Sequence, residues 1–130
     1  VYKRQVLEGC AFAMRDVLDR IQALGLPVER LYLMGGGAAG QLTVRIRASV
    51  CGLTVRRCPA ADTAPVGAAL LAGVAAGLHP DLRSCASALR TRFQPVEPEP
   101  AEAAPYEQAY RRYRRLFDSL HPLFFPEGRE

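Results

Sequence analysis

Three consecutive glycines, Gly35, Gly36 and Gly37, follow directly on VERLYLM at 28 to 34 and lead into Ala38, Ala39 and Gly40. Glycine reaches backbone conformations that a Cβ forbids, so a chain that meets three of them can reverse within a few residues. The run before them is short and rich in branched and aromatic residues, which predicts a buried strand over Val28 to Met34. After the glycines, Gln41 to Val50 returns to helical spacing with Leu42, Ile46 and Val50, and Gly52 supplies a C-terminal stop. Strand, tight turn and helix are thereby imposed on the centre of the chain, and the fold class is α/β.

The same alternation extends both ways. Val6, Leu7, Cys10, Phe12, Ala13, Val17, Leu18, Ile21 and Leu24 recur at three- and four-residue steps, predicting a helix over Tyr2 to Leu24 that Gly25 and Pro27 end. Leu53 to Cys58 reads as a second short strand. Pro65 suits a first helical turn, and VGAALLAGVAAG continues it as a helix so rich in Ala and Gly that close packing is expected. Pro80 and Asp81 open a short helix to about Leu89, and Arg92 to Pro95 can pair as an edge strand. VEPEPAEAAP is a proline-rich acidic connector, expected to continue neither helix nor central strand. Tyr106, Ala109, Tyr110, Tyr113, Leu116, Phe117 and Leu120 then form a helical stripe that reads as a docking face.

At 130 residues, 49% of them apolar and 23% charged, the chain suits one globular domain. No apolar run approaches the ~20 residues needed to cross a bilayer, and VYKRQVLEG has no signal-peptide layout. A soluble cytoplasmic protein is expected, with no membrane partner. The chain begins at Val1 inside an amphipathic pattern, which predicts the carboxy-terminal piece of something longer. Cys10, Cys51, Cys58 and Cys85 show no CxxC pairing and read as small, mostly buried thiols; His79 and His121 each stand alone before a proline, so no metal site is expected. The net charge of +4 rests on seventeen basic residues of which Lys3 is the single lysine. RRYRR at 111 to 115 is expected to be a solvated helix face, not a nucleic-acid surface.

The junction Leu33 to Gln41 is where chemistry is to be sought. Residues without side chains let a ligand approach the main chain, and the free N–H groups at a helix start favour an anion, so phosphate or a ribose–phosphate edge is the natural guest. A tight turn with close helix packing accounts for the glycines equally well. GK[ST] is absent, and so is GxGxxG with its downstream acid, which excludes a Walker A loop and a dinucleotide fingerprint. A second cluster of small residues, Thr63-Ala64-Pro65-Val66-Gly67-Ala68-Ala69, starts another helix. Two such helix starts, each fed by a strand, can frame a flat apolar slot for a planar base.

VLEGCAFAMRDVLD, LYLMGGGAAG, GAALLAGVAAGLHPDL and YEQAYRRYRRLFDSLHPLF occur in an order and spacing that resembles the carboxy-terminal end of the FGGY carbohydrate kinases, most of all the xylulokinases. The resemblance runs from about Tyr2 to Phe124. It implies a fragment of an actin-like, ribonuclease-H-like ATPase lobe, with residues 1 to 130 as the carboxy-terminal nucleotide-binding lobe and the amino-terminal lobe absent. By the same resemblance, Gly36, Gly37 and Ala38 would line the α-phosphate and adenosine of ATP, Gln41 would lie near the base, and Gly67 and Ala68 would wall the adenine slot. Leu7, Glu8 and Gly9 match the tail of the family's second signature. The implied cofactors are ATP and Mg2+, and the implied partners are a sugar substrate and the missing lobe; as an alternative, the Tyr106 to Leu120 stripe would make the chain a non-catalytic assembly module that docks on the missing lobe or on a second copy as homodimer. The implied reaction is γ-phosphoryl transfer to a sugar hydroxyl, with the base and the sugar contacts earlier in the family's chain. Asp16, Asp19, Asp62, Asp81 and Asp118 are accordingly expected to be structural or solvated. Where the family carries a run like ARSPLWRQILAD, this chain has Ala39, Gly40, Thr43, Arg45 and Ser49, and it has no tryptophan. The main-chain cradle is kept while polar and aromatic groups beside it are lost.

Overall fold

The computed structural model describes residues 2 to 58, 64 to 90 and 93 to 125. Along them run α1 (Tyr2–Ala23), β1 (Arg30–Leu33), a 3-10 turn (Gly35–Ala38), α2 (Gln41–Cys51), β2 (Thr54–Arg57), α3 (Ala64–Ala75), α4 (Leu82–Arg90), β3 (Gln94–Val96), a second 3-10 turn (Pro100–Glu102) and α5 (Ala103–Phe124). The alternation of helix and strand expected from the sequence is present, with shorter strands.

The sheet order is β1-β2-β3. β1 and β2 are parallel, with Leu33 opposite Arg57, so the chain must cross over between them, and α2 makes that crossing. β3 runs antiparallel to β2, with Val55 opposite Val96, and is the edge strand expected near 92 to 95; residues 91 and 92 lie outside the described ones.

The core is organised around α2, which is buried on two sides. Val44 and Ala48, one turn apart, pack with Val55 of β2 and with Leu31, Leu33 and Val96. Ile46 and Val50, on the opposite side, pack with Ala11 and Phe12 of α1 and Tyr106 and Tyr110 of α5. The spacing of Leu42, Ile46 and Val50 had suggested a single apolar face. Leu42 is in fact 45% exposed, whereas Val44 and Ala48 are completely buried. A helix between two layers has two stripes, and a one-stripe reading mixes them.

Phe12 anchors α1 to α5. Its ring lies 6.2 Å from that of Tyr106, 6.0 Å from Tyr110 and 5.7 Å from Tyr113, within the range of favourable aromatic pairing. Polar pairs then fix the two helices in register. Arg4 donates to Glu8 at 2.8 Å, to Glu102 at 3.1 Å and to the Tyr106 hydroxyl at 2.7 Å, and that hydroxyl donates to Glu8 at 3.2 Å. One turn further on, Tyr110 donates to Asp19 at 2.6 Å, while Arg15 donates to Glu107 at 2.6 Å and lies 4.2 Å over the Tyr110 ring. Arg114 pairs with Asp16. Arg15 also donates to the Val50 carbonyl at 3.3 Å, so it reaches the C-terminal end of α2, where Gly52 takes the left-handed conformation at φ 63°.

Several expectations are corrected. The acidic connector continues neither a helix nor a central strand, as expected, but the last helix begins earlier than Tyr106: Val96 ends the edge strand β3, and α5 begins at Ala103 with Pro105 in its first turn, where a missing N–H breaks no helical bond. Val6 and Val17 of α1 and Leu24 just past its end are exposed, and so is Cys10, which lies on the water side of the helix; Cys85 alone of the four thiols is fully buried. α3 has no buried residue, and the close packing expected of its Ala and Gly is not found among the described residues. The aromatic stripe of α5 divides, with Tyr106 and Tyr110 in the core and Leu116, Phe117 and Leu120 exposed.

Ile46→Ala should destabilise the chain by about 2–5 kcal/mol, because it opens a cavity where α1, α2 and α5 meet. Leu42→Ala, at the exposed position, should cost within about 0.5 kcal/mol. Urea denaturation of both variants checks the assignment, and equal losses would contradict it.

Candidate functional site

β1 ends at Leu33 and β2 at Arg57; being parallel and in register, they deliver their C-terminal ends to the same edge of the sheet. From that edge one strand runs into the glycine turn and the other into residues 59 to 63, outside the described ones, and then α3. In an open parallel sheet this edge is where ligands bind.

The turn itself is a ledge. Gly35 sits at φ +68°, a left-handed conformation that favours glycine. Gly36 and Gly37 are exposed, and a Cβ built on Gly36 would meet nothing within 4 Å, so the main chain there lies open to a ligand. Ala38 is only 1% exposed and supports the turn from beneath. Gln41, the first residue of α2, is exposed. Gly67 and Ala68 are exposed in the first turns of α3, and a Cβ on Gly67 would also meet nothing within 4 Å. The concavities described along α5 contain no residue of either cluster. What the chain offers at this edge is an open surface.

Two arginines that no motif marks hold the turn in place. Arg57 donates to the carbonyls of Ala38 at 2.7 Å and Ala39 at 3.1 Å, and Arg47 donates to the carbonyl of Gly37 at 2.9 Å. Arg57 is the last residue of a strand whose neighbour feeds the glycines, which is the signal that could have pointed to it.

The other residues marked in the sequence are engaged elsewhere. Glu8, in the signature tail, belongs to the clamp between α1 and α5, with Leu7 packed against the adjoining core. Asp16 is paired with Arg20 and Arg114, and Asp19 accepts from Tyr110. Asp81 caps α4: its carboxylate accepts the Ser84 N–H at 2.7 Å, which holds it below the ordinary carboxylate range. Asp118 is exposed beside Arg114, and Asp62 lies outside the described residues. Ser49, where the family's aspartate is expected, is buried and accepts the Glu99 N–H at 3.1 Å, tying the connector to α2. Burial pushes the Cys51 thiol up to about 11, which leaves it protonated and inert at neutral pH.

Residues 3–76 match the C-terminal domain of the FGGY family of carbohydrate kinases, and the chain belongs to that family. It is 31% identical over 121 residues to a ribulokinase of Anoxybacillus flavithermus, covering 88% of this chain and 22% of the relative. It is 33% identical over 119 residues to a glycerol kinase of Saccharopolyspora erythraea, covering 88% and 24%. Among solved structures, a xyloylose kinase from Brucella ovis superposes with a TM-score of 0.69 at 32% identity, over 91% of this chain and 24% of that one. The chain thus spans about a quarter or less of the length of these kinases. Its fold is a helix-rich piece of the actin-like ATPase fold of the sugar kinases. The likeness expected to xylulokinases in particular is shared with glycerol kinases and ribulokinases.

Gly35→Ala should cost about 1 kcal/mol through backbone strain alone, since its Cβ would meet nothing within 4 Å. Gly36→Ala, without a left-handed φ, should be close to neutral. Thermal unfolding of the two checks this, and a larger loss at Gly36 would contradict the turn geometry.

Proposed function

We propose that this chain forms the ATP- and ADP-binding part of a carbohydrate kinase that transfers the γ-phosphoryl group of MgATP to a sugar hydroxyl. The observation that carries the reading is the open glycine ledge at the end of β1, in a chain that matches the FGGY C-terminal domain. Gly36 and Gly37 would meet the α-phosphate and ribose, with Ala38 as the floor beneath. Gln41 would approach the base, and Gly67 and Ala68 would wall the adenine. Small residues suit both places because each demands close approach without a side chain in the way.

The nucleotide brings the transferable phosphoryl group, and Mg2+ neutralises its charge. The described residues contain no group of three or more His, Cys, Asp or Glu able to hold a metal, and bound Mg2+ would be carried chiefly by the nucleotide phosphates. The base and the sugar contacts belong to the portion of the kinase beyond this chain, and the chain alone should be inactive. Xylulose is the acceptor to test first, beside glycerol and ribulose, since the similar proteins include kinases named for all three. ATP-dependent sugar phosphorylation belongs in the cytoplasm, and among the described residues no helix is long and apolar enough to cross a membrane.

A second reading concerns assembly. Leu116, Phe117, Leu120 and Phe124 line an apolar groove of about 270 Å³ on the outer half of α5, suited to the missing lobe or to a second copy. Sedimentation of the chain with rising concentration should show self-association that Leu116→Asp removes. A strict monomer throughout would exclude the homodimer.

For the principal reading, an NMR titration with MgADP should move resonances of residues 35 to 41 and 64 to 69 with weak affinity, because half of the phosphate contacts are absent. Gly37→Asp should abolish those shifts, both by placing a negative charge where phosphate approaches and by pressing its side chain on Arg47. Shifts confined to other residues, or unchanged affinity in the variant, would overturn the cradle.

A further inference from the structure

We propose that Arg47 and Arg57 are positioning residues for the nucleotide, acting through the main chain of the glycine turn. The inference rests on the nucleotide reading of that turn and adds what keeps it in shape. A ledge of glycines has few contacts of its own, and an exposed turn of this kind samples many conformations unless something outside it fixes the peptide planes. Here three successive carbonyls, those of Gly37, Ala38 and Ala39, are all taken up by guanidinium groups. Once each carbonyl is held, the orientation of the next peptide N–H is fixed as well, since the two belong to one planar unit.

The brace follows from the topology. Arg57 is opposite Leu33 in the parallel register, and the Cys58 N–H continues the ladder to the Leu33 carbonyl at 2.9 Å, so the Arg57 side chain begins beside the point where β1 enters the turn. Its Nε and Nη2 reach two neighbouring carbonyls at once, a fork that the single ammonium of lysine cannot reproduce. Arg47 approaches from the second turn of α2, and its Nη1 lies 3.0 Å from where a Cβ on Gly37 would stand. Gly37 therefore serves the brace as well as the ledge, because a side chain there presses on the arginine.

Among the described residues neither guanidinium is paired with a carboxylate, unlike Arg4, Arg15, Arg20, Arg111 and Arg114. Their hydrogen bonds go to neutral carbonyls, so among the described residues both positive charges stand beside the turn without a paired carboxylate. That field favours an anionic guest such as a nucleotide phosphate, and it strengthens as salt is lowered. Geometry and charge thus come from the same two side chains, and the variants separate them.

The test compares the chain with its Arg57→Met, Arg57→Lys and Arg47→Met variants by NMR. Two things are read: the carbonyl-carbon resonances of Gly37, Ala38 and Ala39 without ligand, and the affinity for MgADP. Arg57→Met should move the resonances of Ala38 and Ala39, and Arg47→Met that of Gly37. In each case the amide protection of Val44, Val50 and Val55 should stay unchanged, and MgADP should bind about tenfold more weakly. Arg57→Lys keeps the charge and loses the fork, and should recover less than half of that loss. Turn resonances that stay put in both methionine variants would overturn the brace, as would full recovery by lysine, which would leave charge alone as the cause. If Arg57→Met loses protection throughout the core, the Arg47→Met and Arg57→Lys results decide. If the unaltered chain shows no MgADP shifts at the turn, the nucleotide reading and the positioning role both fail, while the carbonyl resonances still report whether the arginines hold the turn.

Discussion

The structure depends on one helix being buried on two opposite sides. α2 sends Val44 and Ala48 into the sheet and Ile46 and Val50 into the pair formed by α1 and α5. Removing water from both sides of an eleven-residue helix fixes its axis and its rotation at once. Its N-terminus follows the glycine turn, so the same burial fixes where the turn lies relative to the sheet edge. Arg47 projects from this helix and Arg57 from the strand packed beneath it, and both reach the turn.

A second constraint holds the outer layer. α1 and α5 meet through Phe12 and three tyrosine rings, and the aromatic contact is flanked by Arg4, Glu8, Glu102 and Tyr106 at one end and Arg15, Asp19, Glu107 and Tyr110 at the other. Tyr110 shows the coupling most plainly: burial is the main cause that pushes its hydroxyl above the ordinary range, and the hydrogen bond to Asp19 adds to it. Partly exposed pairs of this kind contribute little energy each. They select one register between two helices that apolar packing alone would let slide.

Much of this was legible in the residues. The glycine run, the short branched runs and the three-and-four spacing of α1 and α5 located the elements, because local periodicity reports which side of an element is buried. The glycine ledge and the family resemblance were legible for the same reason, since both are carried by contiguous residues. The double burial of α2 was not, because Val44 and Ala48 belong to a second stripe and Ala is ambiguous between core and surface. Nor were Arg47 and Arg57, whose role depends on a register between two strands separated by a helix. The openness of α3 also escaped, since Ala and Gly announce close packing without saying which surface supplies it.

Under the proposed function, the open edge formed by the ends of β1 and β2 seats a nucleotide. A crystal structure of the chain grown with MgADP tests it most directly. The phosphates should lie against the main chain of Gly36 and Gly37, the base between Gln41 and the Gly67–Ala68 turn of α3, with Arg47 and Arg57 still on their carbonyls. ADP bound away from this edge, with the glycine turn unoccupied, would contradict it.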